Sequence, residues 1–421
     1  MFSKLSSLLH SRANSKRQRN SESPATEQPA QEPLFFAVQK NPTERTTPEP
    51  VDIAQLILSI LTTACNQLAS DVHIEPSKNK LCLRFRVDGR LIVQELLDPS
   101  LLPNLVSYLK ITSNLDIAES RLPKDSSFRL EALPETDFRL SILPTIFGEK
   151  IAIRLIHRTD LGLSLAESGI FAPDDLPAIE QLLARQHGCI LVTGPTGSGK
   201  STTLSRFLAH LNQAHVNITT IEDPVEHVLP RVNHVNLNTK IGLDFNTLLR
   251  HILRQDPDII MIGEIRDEET AATVVRAAIT GHLVLSTLHT NDALSTINRL
   301  LDMGVPRYLL TDALSGIISQ RLVRRLCPHC KQSAPLPAWL GEKYALTGDM
   351  YRPAGCEHCH NTGYSGRLAI YEILTVTASV RAHMTQGELS ALADYYQPLS
   401  HHALSQLTAG HTSLEEIVTF V

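Results

Sequence analysis

No stretch of this chain approaches 18 consecutive apolar residues, so nothing in it reads as a membrane-spanning helix. No secretory leader is expected either, because Met1 to Leu9 is too polar to supply the apolar core that a leader needs. Charge of neither sign dominates: the formal net charge is −5, which leaves no global field to draw in nucleic acid or anionic lipid. Basic stripes interleaved with aromatic residues are also absent from a chain that is 5% aromatic, which argues against direct nucleic-acid contact. Cysteine is sparse, at seven in 421 residues. Cys65, Cys82 and Cys189 lie singly in apolar segments, and the other four form two Cys-x-x-Cys pairs. That pattern points to buried thiols plus metal binding, not to a disulfide framework. Together these absences predict a protein that stays in the cytoplasm.

What remains is ordinary globular material, 42% hydrophobic and 20% charged, long enough for two or three domains. Residues 1–50 are rich in Ser, Pro, Glu, Gln, Thr and Arg, and hold too few large apolar residues to offset the entropy of ordering. They read as a disordered tail. Within it Phe2, Leu5, Leu8 and Leu9 share one helical face ahead of Arg12, Lys16, Arg17 and Arg19. This is either a small anchor for a membrane surface or partner, or a frayed tail with scattered leucines. Residues 51–158 read as an α+β domain. A helical period through Leu56, Ile57, Ile60, Leu61 and Ala64 gives way to the alternation Leu81-Cys-Leu-Arg-Phe-Arg-Val87, and Asp88-Gly89 is a hairpin signal before Leu91–Leu96. Segments 138–143 and 150–156 also read as strands. Residues 159–185 form a linker with a short helix around Asp174–Ala184, and 186–421 form the next domain.

That domain opens with the most informative segment, Cys189-Ile-Leu-Val-Thr-Gly-Pro-Thr-Gly-Ser-Gly-Lys-Ser201. A buried strand feeds a glycine loop that ends in Lys-Ser, and Thr202–Leu211 has helical apolar spacing. This is a phosphate-binding loop: Gly194, Gly197 and Gly199 let backbone N–H groups curl around an anion. Lys200 reaches the terminal phosphates, and Ser201 ligates Mg²⁺ at the helix start. The predicted nucleotide-binding set is Gly194, Pro195, Thr196, Gly197, Ser198, Gly199, Lys200, Ser201 and Thr202. The alternative is a chance glycine turn.

Val216–Ile221, Ile259–Ile262 and Leu283–Leu288 each read as buried parallel strands between helices, which implies a doubly wound α/β sheet. Ligands bind beyond the carboxyl ends of such strands. The residues following those ends are Glu222-Asp223-Pro224-Val225-Glu226, then Gly263-Glu264-Ile265-Arg266-Asp267, then His289-Thr290-Asn291. Glu264 and Glu222 are candidates for the general base or a Mg²⁺-water ligand, in that order. His282 and His289 flank one strand, and His289, with Ser286-Thr287 and Thr290-Asn291 nearby, suits a γ-phosphate sensor. Cys327, Cys330, Cys356 and Cys359 enclose 25 residues between their pairs, which favours a structural tetrahedral Zn²⁺ site. A redox pair, or a site that recruits His329, His358 or His360, are the alternatives. The basic run Arg321-Leu-Val-Arg-Arg325 reads as a solvated face, or else as an anion patch.

The boxes GPTGSGKS at 194–201, TIEDPVE at 220–226, DIIMIGEIRD at 258–267 and TGHLVLSTLHTN at 280–291 resemble those of the secretion-superfamily ATPases of type II secretion and type IV pilus assembly. The likeness runs from about Val51 to the end. It includes Ser70–Pro76, Leu115–Pro123 and Gly148–Lys150 before the motor, and Gly366-Arg367 and Ile370–Glu372 after it. The resemblance implies a RecA-like motor domain behind a smaller α+β domain, with a tetracysteine zinc module at 321–372 and C-terminal helices at 373–421. It further implies hydrolysis of ATP with Mg²⁺ and a homo-hexameric ring. Peripheral docking on an inner-membrane platform protein and a recruitment protein would follow. The tetracysteine module favours assembly or secretion over pilus retraction, whose motors generally lack it. Lys124-Asp-Ser-Ser-Phe128 departs from the usual Gln-Asp-Gly-Arg-Phe, so an arginine often present there is missing, and by the same comparison the 50-residue tail is expected to stand where the family usually carries an extra N-terminal recruitment domain. Candidate charge-stabilising arginines are Arg84, Arg86, Arg139, Arg154 and Arg266. Two other functions compete with the motor: a nucleotide-gated scaffold with scant turnover, and a DNA-uptake or conjugation ATPase.

Overall fold

The structure is a computed structural model that describes residues 51–157, 164–238 and 241–421. The tail 1–50, its Met1–Leu9 segment and the start of the linker lie outside the described residues.

Two sheets organise the chain. The first has strands β1 (Asp71–Pro76), β2 (Leu81–Val87), β3 (Arg90–Leu97), β4 (Lys124–Arg129), β5 (Thr136–Thr145) and β6 (Gly148–His157). They pair antiparallel in the order β3-β2-β1-β6-β5-β4. One face is apolar: Leu81, Leu83 and Phe85 point inward from β2 while Cys82, Arg84 and Arg86 face out. The helices Ile53–Asn66 and Leu102–Thr112 cover that face with Leu56, Ile57, Leu61, Leu105 and Leu109. Asp52 starts the first helix by accepting from the backbone N–H of Ala54 at 2.9 Å. Asp88 and Gly89 both take left-handed backbone angles, φ 49° and 85°, the geometry of a tight hairpin turn, as their sequence signalled.

The second sheet has β7 (Gly188–Thr193), β8 (Ile218–Glu222), β9 (Val232–Asn236), β10 (Ile259–Ile262), β11 (Leu283–Leu288), β12 (Leu314–Leu326) and, after the short pair β13 (Gln332–Pro335) and β14 (Asp349–Arg352), β15 (Tyr364–Thr375). The order is β15-β12-β7-β11-β10-β8-β9. All neighbours run parallel except β12 and β15. Both faces are buried, which is why the inner strands read as unbroken apolar runs. Ile260, Ile262, Val284 and Ile317 pack on one side with the helices Phe245–Ile252, Glu268–Ile279 and Ala293–Asp302. Ile259, Met261, Leu283 and Leu285 pack on the other with Leu204, Phe207 and Leu208 of the helix Lys200–Leu211. Segment 327–363, which holds the four cysteines, is carried between β12 and β15. The outer parts of the sequence-assigned module are therefore strands of the main sheet.

The run 321–325 is not simply a solvated face. Arg324 is buried, donates to Glu416 at 2.6 Å and lies 3.6 Å from the centre of the Tyr364 ring, tying the C-terminal helices to β12 and β15.

Phe85, 1% exposed, anchors the first core. Phe85→Ala is expected to cost about 3–5 kcal/mol of unfolding free energy, read by urea titration followed by far-UV circular dichroism.

Candidate active site

The phosphate loop leaves the end of β7 and passes through one tight turn, with the Ser198 N–H on the Pro195 carbonyl at 3.3 Å, into a helix. Gly194, Gly197 and Gly199 have φ of 146°, 81° and 87°, in the region that costs other residues strain, and Gly199 is the N-cap of the helix Lys200–Leu211. Pro195, Thr196 and Gly197 form an exposed rim, Ser198 is buried beneath it, and Ser201 and Thr202 are exposed on the first turn. The helix thus presents its unpaired N–H groups to the hollow of the loop. Lys200 folds over that hollow and donates to the carbonyls of Gly194 and Pro195 at 2.8 and 3.1 Å. Burial pushes its ammonium pKa down, Glu264 pulls it back up, and Arg321 and Glu226 act as further neighbours of opposite sign.

Glu264 follows β10, two strands from β7, whereas Glu222 ends β8, three strands away. At about 4.8 Å per strand, Glu264 is the nearer carboxylate. It is held between Arg266, which grips one carboxylate oxygen, and His289 Nε2, 3.2 Å from the other. Gly263 N–H to the Ile221 carbonyl at 2.8 Å and Ile265 N–H to the Thr287 carbonyl at 3.0 Å pin the backbone on either side. Glu222 turns toward β9 instead. Its Oε1 accepts from the Thr220 hydroxyl at 2.8 Å and lies 3.1 Å from His234 Nδ1. Because His234 Nε2 accepts the Leu229 N–H at 3.0 Å, the ring proton is assigned to Nδ1, which donates to Glu222 or Thr220.

Of the two histidines that flank β11, the structure brings only His289 to Glu264. His282 sits at the opposite end of the strand, its Nδ1 3.0 Å from the Ala277 carbonyl. The hydroxyls grouped with His289 in the sequence are also engaged elsewhere. Ser286 donates to the Ile262 carbonyl and Thr287 to the Gly263 carbonyl, Thr290 pairs with Thr296, and Asn291 accepts from Arg321 at 3.1 Å. Among the candidate arginines, Arg84 pairs with Glu75 and both Arg86 and Arg154 with Asp71. Arg139 reaches from β5 to the Val225 carbonyl at 3.2 Å, linking the first sheet to the segment after Glu222. Sequence reasoning did not single out Glu226 beside Lys200, or His234 on Glu222. The acidic box displayed the first, whereas no local pattern flags a histidine twelve residues beyond its partner.

The four cysteine sulfurs all lie within 4.8 Å of one another. Cys327–Cys356 and Cys330–Cys359 are 3.8 Å apart and Cys356–Cys359 3.7 Å. Thiolates at about 2.3 Å around a tetrahedral ion stand roughly 3.8 Å apart, so the donor set fits zinc. Backbone N–H groups of Cys356 and Gly363 also point at Cys359 Sγ, both at 3.2 Å, as outer-sphere donors to a metal thiolate do.

Residues 48–419 match the family model described as type II/IV secretion system protein. The chain belongs to that family. It is 44% identical over 376 residues to the type II secretion system protein E of Klebsiella pneumoniae, covering 87% of this chain and 75% of the relative. It is 43% identical over 383 residues to the type IV pilus assembly ATPase PilB of Myxococcus xanthus, covering 87% and 67%. The crystal structure of the pilus retraction motor PilT with bound ADP superposes with a TM-score of 0.58 at 28% identity, covering 87% of this chain and 96% of that one. As a member of this secretion and pilus family, the chain is an ATPase with the mixed α/β architecture of its class.

Gly199→Ala places a methyl group 2.8 Å from the Gln320 amide nitrogen at a left-handed backbone position. It is expected to lower stability by about 1–2 kcal/mol, measured by chemical denaturation of the nucleotide-free protein.

Proposed function

We propose that this chain is a cytoplasmic motor that hydrolyses ATP to power type IV pilus assembly or type II protein secretion at the inner membrane, working as a homo-hexamer docked on a platform protein. The observation that carries the reading is the convergence of the phosphate loop, Glu264 and His289 at adjacent strand ends. The relatives named for secretion and pilus assembly, at 44% and 43% identity, favour these roles over retraction, whose motor is 28% identical.

In this mechanism the unpaired N–H groups that residues 196–202 turn into the hollow of the loop, and the Lys200 ammonium, bind the phosphates of ATP. Ser201 is the side chain suited to hold Mg²⁺, which supplies Lewis-acid neutralisation of phosphate charge. Glu264 orients the attacking water and takes its proton as the new bond to the γ-phosphorus forms and the bond to the β–γ bridging oxygen breaks. His289 lies on the Glu264 carboxylate, where it can sense the departing phosphate. Glu222, tied back by His234 and Thr220, is the second choice for base. Arg139 is placed to report the nucleotide state to the first sheet, so that loss of the γ-phosphate loosens one domain, 51–158, from the other, 186–421. Cys327, Cys330, Cys356 and Cys359 hold a structural zinc ion.

Steady-state phosphate release tests the enzyme. Lys200→Ala is expected to fall to background, and Glu264→Gln to retain nucleotide but lose about 10²–10⁴-fold in kcat. Glu222→Gln should lose less. Unchanged turnover in Lys200→Ala would refute the reading. Elemental analysis of purified protein is expected to find one zinc per chain. Cys356→Ser should lose the metal and melt at lower temperature, and a metal-free wild-type preparation of unaltered stability would exclude the zinc.

A further inference from the structure

Gln320 is a polar side chain only 2% exposed in the middle of β12, the strand that borders β7 on the side away from β11. Its amide bonds both the phosphate loop and the helix that follows it. Nε2 donates to the Ser198 carbonyl at 2.8 Å, and Oε1 accepts from the Thr203 hydroxyl at 2.8 Å. Gly194 and Gly199 close directly against this residue. A side-chain carbon at Gly194 would collide with the Gln320 carbonyl oxygen, and one at Gly199 with Nε2.

The consequence lies in the peptide that joins Ser198 to Gly199. In a trans peptide the carbonyl and the following N–H point in opposite directions. Drawing the Ser198 carbonyl back toward β12 therefore aims the Gly199 N–H forward, into the hollow enclosed by residues 194–199. The second bond ties the first turn of the helix, through Thr203, to the same amide. The flanking residues of β12 grip the opposite wall of the site. Ser319 Oγ donates to the Asn291 carbonyl at 3.0 Å, and Arg321 donates to the Asn291 carbonyl and side-chain oxygen at 2.9 and 3.1 Å. Three consecutive residues of one strand thus hold the phosphate loop and the loop that carries His289 at a set separation.

We propose that Gln320 is a positioning residue for nucleotide binding: its amide holds the Ser198–Gly199 peptide in the orientation that turns the Gly199 N–H onto a nucleotide phosphate. The proposal rests on the reading of residues 194–202 as the nucleotide site.

Calorimetric titration of the full-length protein with Mg-ADP tests it. Gln320→Glu preserves volume and the acceptor for Thr203 but has no N–H for Ser198. Gln320→Leu removes both bonds. Each variant is expected to raise Kd about tenfold or more, the scale of one lost hydrogen bond to a charged group. The KM for ATP should rise in parallel and kcat fall less. Thr203→Val keeps the Ser198 bond and should change Kd by less than about threefold, which a merely structural role for the cluster would not predict. A Kd for Gln320→Glu within about twofold of wild type, or equal weakening in Thr203→Val, overturns the proposal. Lys200→Ala binding Mg-ADP as wild type does would instead overturn the nucleotide site itself, whatever Gln320 does.

Discussion

The parallel backbone ladder between Gly188–Thr193 and Leu283–Leu288 is the constraint on which the rest of the site depends. It runs to the last residue of both strands and continues into the loop, where the Gly194 N–H bonds the Leu288 carbonyl at 3.2 Å. The phosphate loop and His289 therefore leave the sheet side by side. The next ladder, Ile259–Ile262 with Leu283–Ser286, delivers Glu264 beside them. A slip of one residue in either pairing would exchange the two faces of a strand, and both are buried. Packing on both faces thus fixes the register, and the register brings the three groups together.

Charge in the site is arranged around Glu264 and not spread evenly over the acidic residues. Arg266 and His289 hold its two oxygens, and it is the strongest charged neighbour of Lys200. Glu222 is just as acidic in the sequence, yet its carboxylate turns sideways to His234 and Thr220. The division follows from strand order: β10 lies inside β8, and the inner carboxylate meets Arg266 and His289 while the outer one is taken up by the edge strand β9.

Much of this was legible in the chain. Ile259–Ile262 and Leu283–Leu288 were read to the residue, because strands buried on both faces are continuous apolar runs bounded by polar residues. The Asp88-Gly89 hairpin was legible because two adjacent left-handed positions admit few residue types. The strand expected at Val216–Ile221 starts two residues later and extends to Glu222, since apolar content does not mark where a ladder begins. The basic run 321–325 was misread for a related reason. Arginine looks solvent-loving in sequence, but Arg324 meets Glu416 across 92 positions and packs on Tyr364, and no local window contains that pairing.

The sequence by itself determined the local chemistry: a glycine loop that only a strand and a helix can flank, four thiols spaced for one ion, and carboxylates placed just after buried strands. These follow from short-range rules, because turns, caps and strand periods are set by neighbouring residues. Tertiary structure alone decided which of the candidates meet. It chose His289 over His282, brought Glu264 and not Glu222 nearest the loop, and set Gln320 behind Ser198 from 122 positions away. Such choices depend on strand order and register, which arise from long-range packing that no segment encodes alone.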